Sequence, residues 1–186
     1  VFPKNKHGGY PDLVLPAVDV IQESGRVLEG NWKVRFEPKL DAAFEQDFSV
    51  LSDFSRHPDP SIKYFSGTAT YTKEIEVDAS SIGGNKRIIL DLGELNDIAE
   101  VKVNGENAGV LWYPPYQTDI TSWLKPGSNR LEIAVTNNWA NRLIGDEQYP
   151  ADFEWGQDRG VEKGRAMKAF PDWFIRKQPR PSKERK

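Results

Sequence analysis

The sequence lacks cysteine altogether and has only two histidines among its 186 residues. Without cysteine, the chain has no disulfide, no Cys-ligated zinc site and no thiol nucleophile. His7 and His57 lie far apart in the sequence and in loop-like surroundings, which argues against a histidine-ligated zinc site. No EF-hand spacing of acidic residues is present, so we assign no metal ligands and no cofactor.

The sequence also lacks an excess of positive charge and any apolar run of membrane-spanning length. The net charge of −3 argues against general nucleic-acid binding, which usually needs a basic surface. No stretch approaches the roughly 20 apolar residues of a transmembrane helix, and no signal peptide opens the chain. We therefore expect neither a nucleic-acid nor a membrane partner. Because the chain starts at Val1 and ends in RPSKERK, we interpret both ends as cut from a longer protein.

The composition and the hydrophobic pattern predict an all-β protein. With 38% hydrophobic and 28% charged residues, the chain is typical of folded proteins, and its length fits one β domain with appended segments. Trp32, Val34 and Phe36 alternate with charged residues, as in a half-buried strand that Pro38 ends. Asn104-Gly105 is a hairpin signal. Further strands are predicted at residues 48–51, 64–77, 86–92, 101–104, 108–112 and 131–136. Short alternating strands of this kind predict an antiparallel two-sheet β-sandwich or jelly roll.

The remaining segments carry weaker patterns. Residues 1–29 are predicted to be an extended lead-in with one strand near residues 18–21, and residues 30–186 form the sandwich with an irregular C-terminal segment. We expect a capped helical turn at residues 119–124, with Asp119 or Thr121 accepting free N–H groups. A loose helix at residues 159–168 and a last docking strand at residues 171–175 complete the predicted order.

Two groups of side chains are candidates for ligand binding. Trp112, Tyr113, Tyr116 and Trp139 are aromatic, and flat aromatic faces suit the C–H patches of sugar rings. The alternative for aromatic residues is core packing, which we prefer for Trp32 and Trp123. The polar group comprises Asn138, Asn141, Arg142 and Asp146, whose amides and charges could pair with sugar hydroxyls.

The alternative for the polar group is structural. Arg142 and Asp146 would form an ion pair that pins a loop, while the Asn side chains satisfy the backbone of turns. Acidic residues are also dense at residues 146–158, but glycoside hydrolysis needs two carboxyl groups about 5–9 Å apart across a pocket, and nothing in the sequence singles out such a pair. We assign no catalytic residue.

Four blocks in a fixed order carry a family resemblance. They are GNWKVRF at residues 30–36, YFSGTATY at 64–71, LDLGELNDIAEVKVNG at 90–105 and NNWANRLIGDEQYP at 137–150. This set, with the DIT turn and the G-x-N-x-L strand, resembles the galactose-binding-like jelly-roll domain of family 2 glycoside hydrolases. It looks nearest to the C-terminal domain of bacterial α-L-rhamnosidase-like enzymes. The resemblance covers roughly residues 28–185.

The resemblance implies a non-catalytic, carbohydrate-binding-like accessory domain of a larger bacterial glycoside hydrolase, periplasmic or secreted. Its partners would be a plant or pectic glycan, bound weakly, and the catalytic domain of the parent chain, expected N-terminal to it. Such domains often carry a structural calcium ion, for which this sequence offers no ligand spacing. The alternative is a purely structural module that docks on the catalytic barrel and has no sugar ligand of its own.

Overall fold

The computed structural model describes residues 25–39, 41–148, 154–157 and 164–178. Its strands are β1 (Trp32–Pro38), β2 (Phe44–Phe48), β3 (Gly67–Val77), β4 (Ile89–Asp91), β5 (Ile98–Val103), β6 (Glu106–Leu111), β7 (Gln117–Asp119) and β8 (Gly127–Thr136). Its helices are α1 (Pro60–Lys63), α2 (Ala140–Asp146) and α3 (Asp172–Ile175), and 3-10 turns lie at Phe54–Arg56, Ala79–Ser81 and Thr121–Trp123. Within these ranges, no helix has the length and apolar content needed to cross a bilayer.

The strands form two antiparallel sheets. The larger sheet has the order β2-β1-β3-β8-β5-β6, and the smaller one pairs β4 with β7. The longest ladder of the larger sheet joins β3 to β8, with Thr68 opposite Thr136 at one end and Val77 opposite Gly127 at the other. The predicted all-β, antiparallel sandwich class is confirmed.

The core lies under the inward face of the larger sheet. Trp32, Val34 and Phe36 are buried as their alternation predicts, because successive side chains of a strand point to opposite faces. The ring of Phe36 stacks on Phe44 with centroids 4.7 Å apart and meets Phe65 edge-on at 5.0 Å. Aromatic pairs at such distances add to the stabilisation that burial of their area supplies.

The turns follow from their residues. The hairpin between β5 and β6 has positive φ angles of 55° at Asn104 and 87° at Gly105, as its Asn-Gly sequence predicts. The Asn104 amide also donates to Oδ1 of Asn129, which is fully buried. Asn129 in turn bonds the backbone of Lys125 and the carbonyl of Gly127. The asparagine of G-x-N-x-L thus fastens the turn before β8 to the neighbouring hairpin.

Several of the predicted elements differ from those observed; the strand predicted at residues 64–77, for example, begins only at Gly67, as β3. The second strand is β2, which ends at Phe48 opposite Trp32, so the predicted strand at residues 48–51 is wrong. The strand predicted at residues 86–92 shortens to β4. The predicted final strand at residues 171–175 is instead α3, where the carboxylate of Asp172 in the first turn favours a helix start.

Other expectations fall partly outside the described residues. The strand near residues 18–21 lies there, as does the first part of the helix predicted at residues 159–168. Its described part, residues 164–168, is not helical, and Met167 forms an antiparallel bridge with Trp155. The domain boundary at residue 30 stays a prediction.

Candidate functional site

The sheet register brings both predicted binding segments to one end of the sandwich. Ile98 lies opposite Thr136, and Ala99 lies opposite Leu111. The last residues of β8 and of β6 therefore flank the first residues of β5, one strand on each side. Neighbouring strands are about 4.8 Å apart, so the chain leaves β8 and β6 at points about 10 Å apart. We call this end, with residues 112–116 and 138–146, the rim.

The aromatic loop after β6 exposes two of its three predicted residues. The side chains of Trp112 and Tyr113 are 66% and 61% exposed, and their rings meet edge to face with centroids 4.8 Å apart. A cis peptide bond joins Pro114 to Pro115. Tyr116 is half-buried, and its carbonyl accepts the N–H of Leu92 at 2.9 Å. The exposed pair therefore offers two surfaces at a steep angle, not one flat platform.

Residues 138–146 form the start and body of α2, where the sequence predicted a loop. The Asn138 side chain accepts the N–H of Ala140 at 2.8 Å, so it satisfies the backbone of the first turn. Trp139 is the N-cap and is 48% exposed, while Asn141 is half-buried. The helix was missed because it is short. Its signal was the four-residue spacing of Trp139 with Leu143 and of Arg142 with Asp146.

Arg142 holds α2 to the body of the domain. Its side chain is only 12% exposed, and Nε donates to Asp146 at 3.1 Å while Nη1 donates to Asp41 at 2.6 Å. Its backbone N–H donates to the Ser66 hydroxyl at 3.2 Å. The geometry is that of the predicted structural ion pair, extended by a second carboxylate. Asp41 had no sequence signal, because it lies 101 residues from Arg142.

A glycine completes the contact of α2 with the domain. Gly145 is buried, and a Cβ atom there would lie 2.7 Å from Cβ of Tyr64, so no larger residue fits without movement. A cavity of about 270 Å³ remains beside this contact. Asp41, Ser61 and Arg142 contribute polar atoms to its lining. The charges in its wall already pair with each other, which leaves hydroxyl groups and aromatic rings to contact any small neutral molecule.

Three of the described carboxyl groups have shifted pKa values, and hydrogen bonds from the Ser55 hydroxyl and N–H lower the pKa of Asp53. Hydrogen bonds from the Thr121 hydroxyl and N–H, and from Arg87 at 2.8 Å, hold the pKa of Asp119 at about 2. Burial raises the pKa of Asp97, which directly precedes β5 at the rim. Burial, with the nearby charge of Asp97, also raises the pKa of Tyr71.

Neither Asp97 nor Asp119 is among the residues that line the cavity beside α2. Glycoside hydrolysis requires two carboxyl groups across a sugar-sized pocket. Among the described residues, Asp41 supplies the one carboxylate that lines the cavity beside α2, and this group is bound to Arg142. In the part of the chain that the structure describes, no group of three His, Cys, Asp or Glu side chains could hold a metal ion.

A family model matches this fold over most of its length. The model described as "Glycosyl hydrolase 2 galactose-binding domain-like" matches residues 32–180. The chain belongs to this family. The match includes all eight strands and the rim, so the family resemblance carried by the four sequence blocks is confirmed.

Relatives of this glycosyl hydrolase 2 domain are much longer proteins. A protein of Formosa agariphila named "Putative beta-glucuronidase" is 42% identical over 84% of this chain, which spans 13% of that protein. The structure of a rhamnosidase from Novosphingobium sp. PP1Y is similar, with 40% identity, a TM-score of 0.64, and coverage of 69% of this chain and 12% of that one. A b-glucuronidase from Ruminococcus gnavus, solved with uronic deoxynojirimycin, shares the fold at 24% identity and a TM-score of 0.50, covering 59% and 21%.

Proposed function

We propose that this domain is a non-catalytic accessory module of a larger glycoside hydrolase, and that it docks on the rest of that enzyme through the rim. The proposal rests on one observation, the difference between the polar and the aromatic side chains of the rim. The polar groups of Asn138, Arg142 and Asp146 bond inside the domain, whereas Trp112 and Trp139 face outward. The short span of the domain within its relatives, 12–13% of the Novosphingobium and Formosa proteins, supports a role as one part of a larger chain.

The distribution of polarity at the rim favours a protein partner over a sugar. A sugar site needs free donors and acceptors that converge on hydroxyl groups, because each hydroxyl both donates and accepts. At the rim the guanidinium of Arg142 and the carboxylate of Asp146 already bind each other. Protein interfaces, in contrast, concentrate exposed Trp and Tyr at their centres.

The test of docking uses the rest of the parent polypeptide as a separate chain. We expect it to bind the 186-residue chain in solution, and we expect hydrogen exchange at residues 112–116 and 138–146 to slow in the complex. The opposite end of the sandwich, around Val50, is the internal control and should exchange at an unchanged rate. Absence of binding, or protection confined to the control region, would contradict the proposal.

A second candidate function is weak contact with carbohydrate, favoured by the exposure of Trp112 and Tyr113. Their rings could stack on a sugar without the help of Arg142. NMR titration would follow the indole N–H of Trp112, with the buried Trp32 as control. The panel would contain plant and pectic glycans, rhamnose, galactose and, because two relatives are named as glucuronidases, glucuronic acid. If no glycan at millimolar concentration shifts the Trp112 signal, this candidate fails.

A further inference from the structure

Helix α2 has its polarity reversed relative to an ordinary surface helix. Its inward side carries Arg142, Gly145 and Asp146, all half-buried or buried. The outward side carries Leu143 and Ile144, with the N-cap Trp139 one turn before Leu143; their exposed fractions are 60%, 51% and 48%. A surface helix normally turns its apolar stripe to the core and its charges to water.

The outward residues form one continuous face. At about 100° per residue, Trp139, Leu143 and Ile144 fall within an arc of about 140°, whereas Arg142 and Gly145 lie outside this arc and Asp146 borders it beside Trp139. Side chains four positions apart, such as Trp139 and Leu143, are neighbours on a helix. Contiguous exposed apolar side chains of this kind mark interaction sites, and a helix that lays an apolar face in a groove uses the same spacing.

The face is held in place before any partner arrives. Arg142 binds Asp41 and Asp146, and the contact of Gly145 with Tyr64 admits no larger side chain. A fixed helix loses less conformational freedom on binding than a mobile segment does. The charges of Arg142, Asp41 and Asp146 are paired with each other. The exposed Glu147 lies between Leu143 and Ile144 on the helix, so the complementary surface is mainly apolar around this one carboxylate.

We infer that the face of Trp139, Leu143 and Ile144 is the surface on which the remainder of the parent glycoside hydrolase packs, through an apolar groove or patch of its own. This inference rests on the proposed docking function and names its contact. The choice of this partner rests on the length of the relatives. The chain spans only 13% and 12% of two of them, so most of such a protein lies outside this domain and can supply the surface that covers the face.

The test is a double substitution, Leu143→Gln and Ile144→Gln, which keeps a good helix former at both positions while removing the apolar surface. The matched control is Val50→Gln, because Val50 is 75% exposed and follows β2 at the opposite end of the sandwich. Isothermal titration against the remainder of the parent polypeptide should show at least a tenfold weaker affinity for the double variant and an unchanged affinity for the control. Circular dichroism should show that all three proteins melt at similar temperatures.

The other outcomes are distinct. Equal affinity of the double variant and the wild type would overturn this inference while leaving docking itself intact. Absence of binding by the wild type would overturn the proposed function and this inference together. Sedimentation velocity addresses the competing occupant: a wild-type dimer that the double variant loses would show that a second copy of this chain covers the face, and would also overturn the inference.

Discussion

The contact of α2 with the rest of the domain allows the local stability of this helix to be tested separately from the global stability of the fold. Gly145 is the one fully buried residue of α2, so apolar burial does little to hold this helix. Arg142 supplies most of the attachment through its bonds to Asp41 and Asp146. The substitution Arg142→Leu should therefore release α2 while the two sheets remain folded.

The size of the effect follows from the burial of the ion pairs. Breaking a buried ion pair by removing one partner costs about 3–5 kcal/mol, because the remaining charge is left without compensation. The side chains of Asp41 and Asp146 keep 34% and 27% of their exposure, so water offsets part of this cost and we expect about 2 kcal/mol. At about 1.4 kcal/mol per factor of ten, α2 should open about 30 times more often.

Amide hydrogen exchange measures this opening directly. The N–H groups of Leu143 and Glu147 donate within α2 to the carbonyls of Trp139 and Leu143, both at 3.0 Å, and they should lose protection about 30-fold. Amides of β3 should change little. The variant Arg142→Lys keeps the charge but lacks the planar fork that reaches two carboxylates, so its effect should be intermediate. Equal loss of protection in α2 and β3, or no loss in either, would refute the reasoning.

Two further predictions concern the turns. Asn129→Asp replaces a buried donor with a charged acceptor that faces two carbonyls, which should cost about 3 kcal/mol and lower the melting temperature by about 6–12 °C. The control is Asn138→Asp, which should change the melting temperature little, because Asn138 is exposed and an aspartate can still accept the N–H of Ala140. Asp119 has a folded-state pKa of about 2 against an ordinary value of 3.8, so its ionised form stabilises the fold above about pH 4 and this contribution is lost as the pH falls to about 2. Urea denaturation across that pH range should show that the free energy of unfolding depends less on pH in Asp119→Asn than in the wild type. The difference should be under about 1 kcal/mol, because the Asp119 side chain is 36% exposed. Identical pH dependence in the two proteins would contradict this prediction.

The fold could be predicted where its determinants are local. The alternation of β1 and the Asn104-Gly105 hairpin each depend on residues close in sequence, and both predictions are confirmed. The order of the larger sheet depends on pairings such as Thr68 with Thr136, which no local pattern encodes. The position of β2 was missed for the same reason, since its register is set by pairing with β1.

The rim shows the same division between local and distant determinants. The pair of Arg142 with Asp146 was predicted from two residues only four positions apart, although the segment was predicted as a loop and is the helix α2. The bond of Arg142 to Asp41 and the contact of Gly145 with Tyr64 join distant parts of the chain, so they required the fold. Whether Trp112 and Tyr113 bind sugar stays a prediction.

The direction in which α2 faces is decided before the helix begins. Asn137 accepts the N–H of Gly67 and donates to the carbonyl of Phe65, each at 2.9 Å, which fixes the chain as it leaves β8. The helix then starts in a set phase, and Arg142 turns inward to its two carboxylates. Turning Leu143 inward would break these bonds and drive the buried Gly145 away from its contact. No described segment covers the apolar face, so its burial requires a surface that the described part of the chain does not supply.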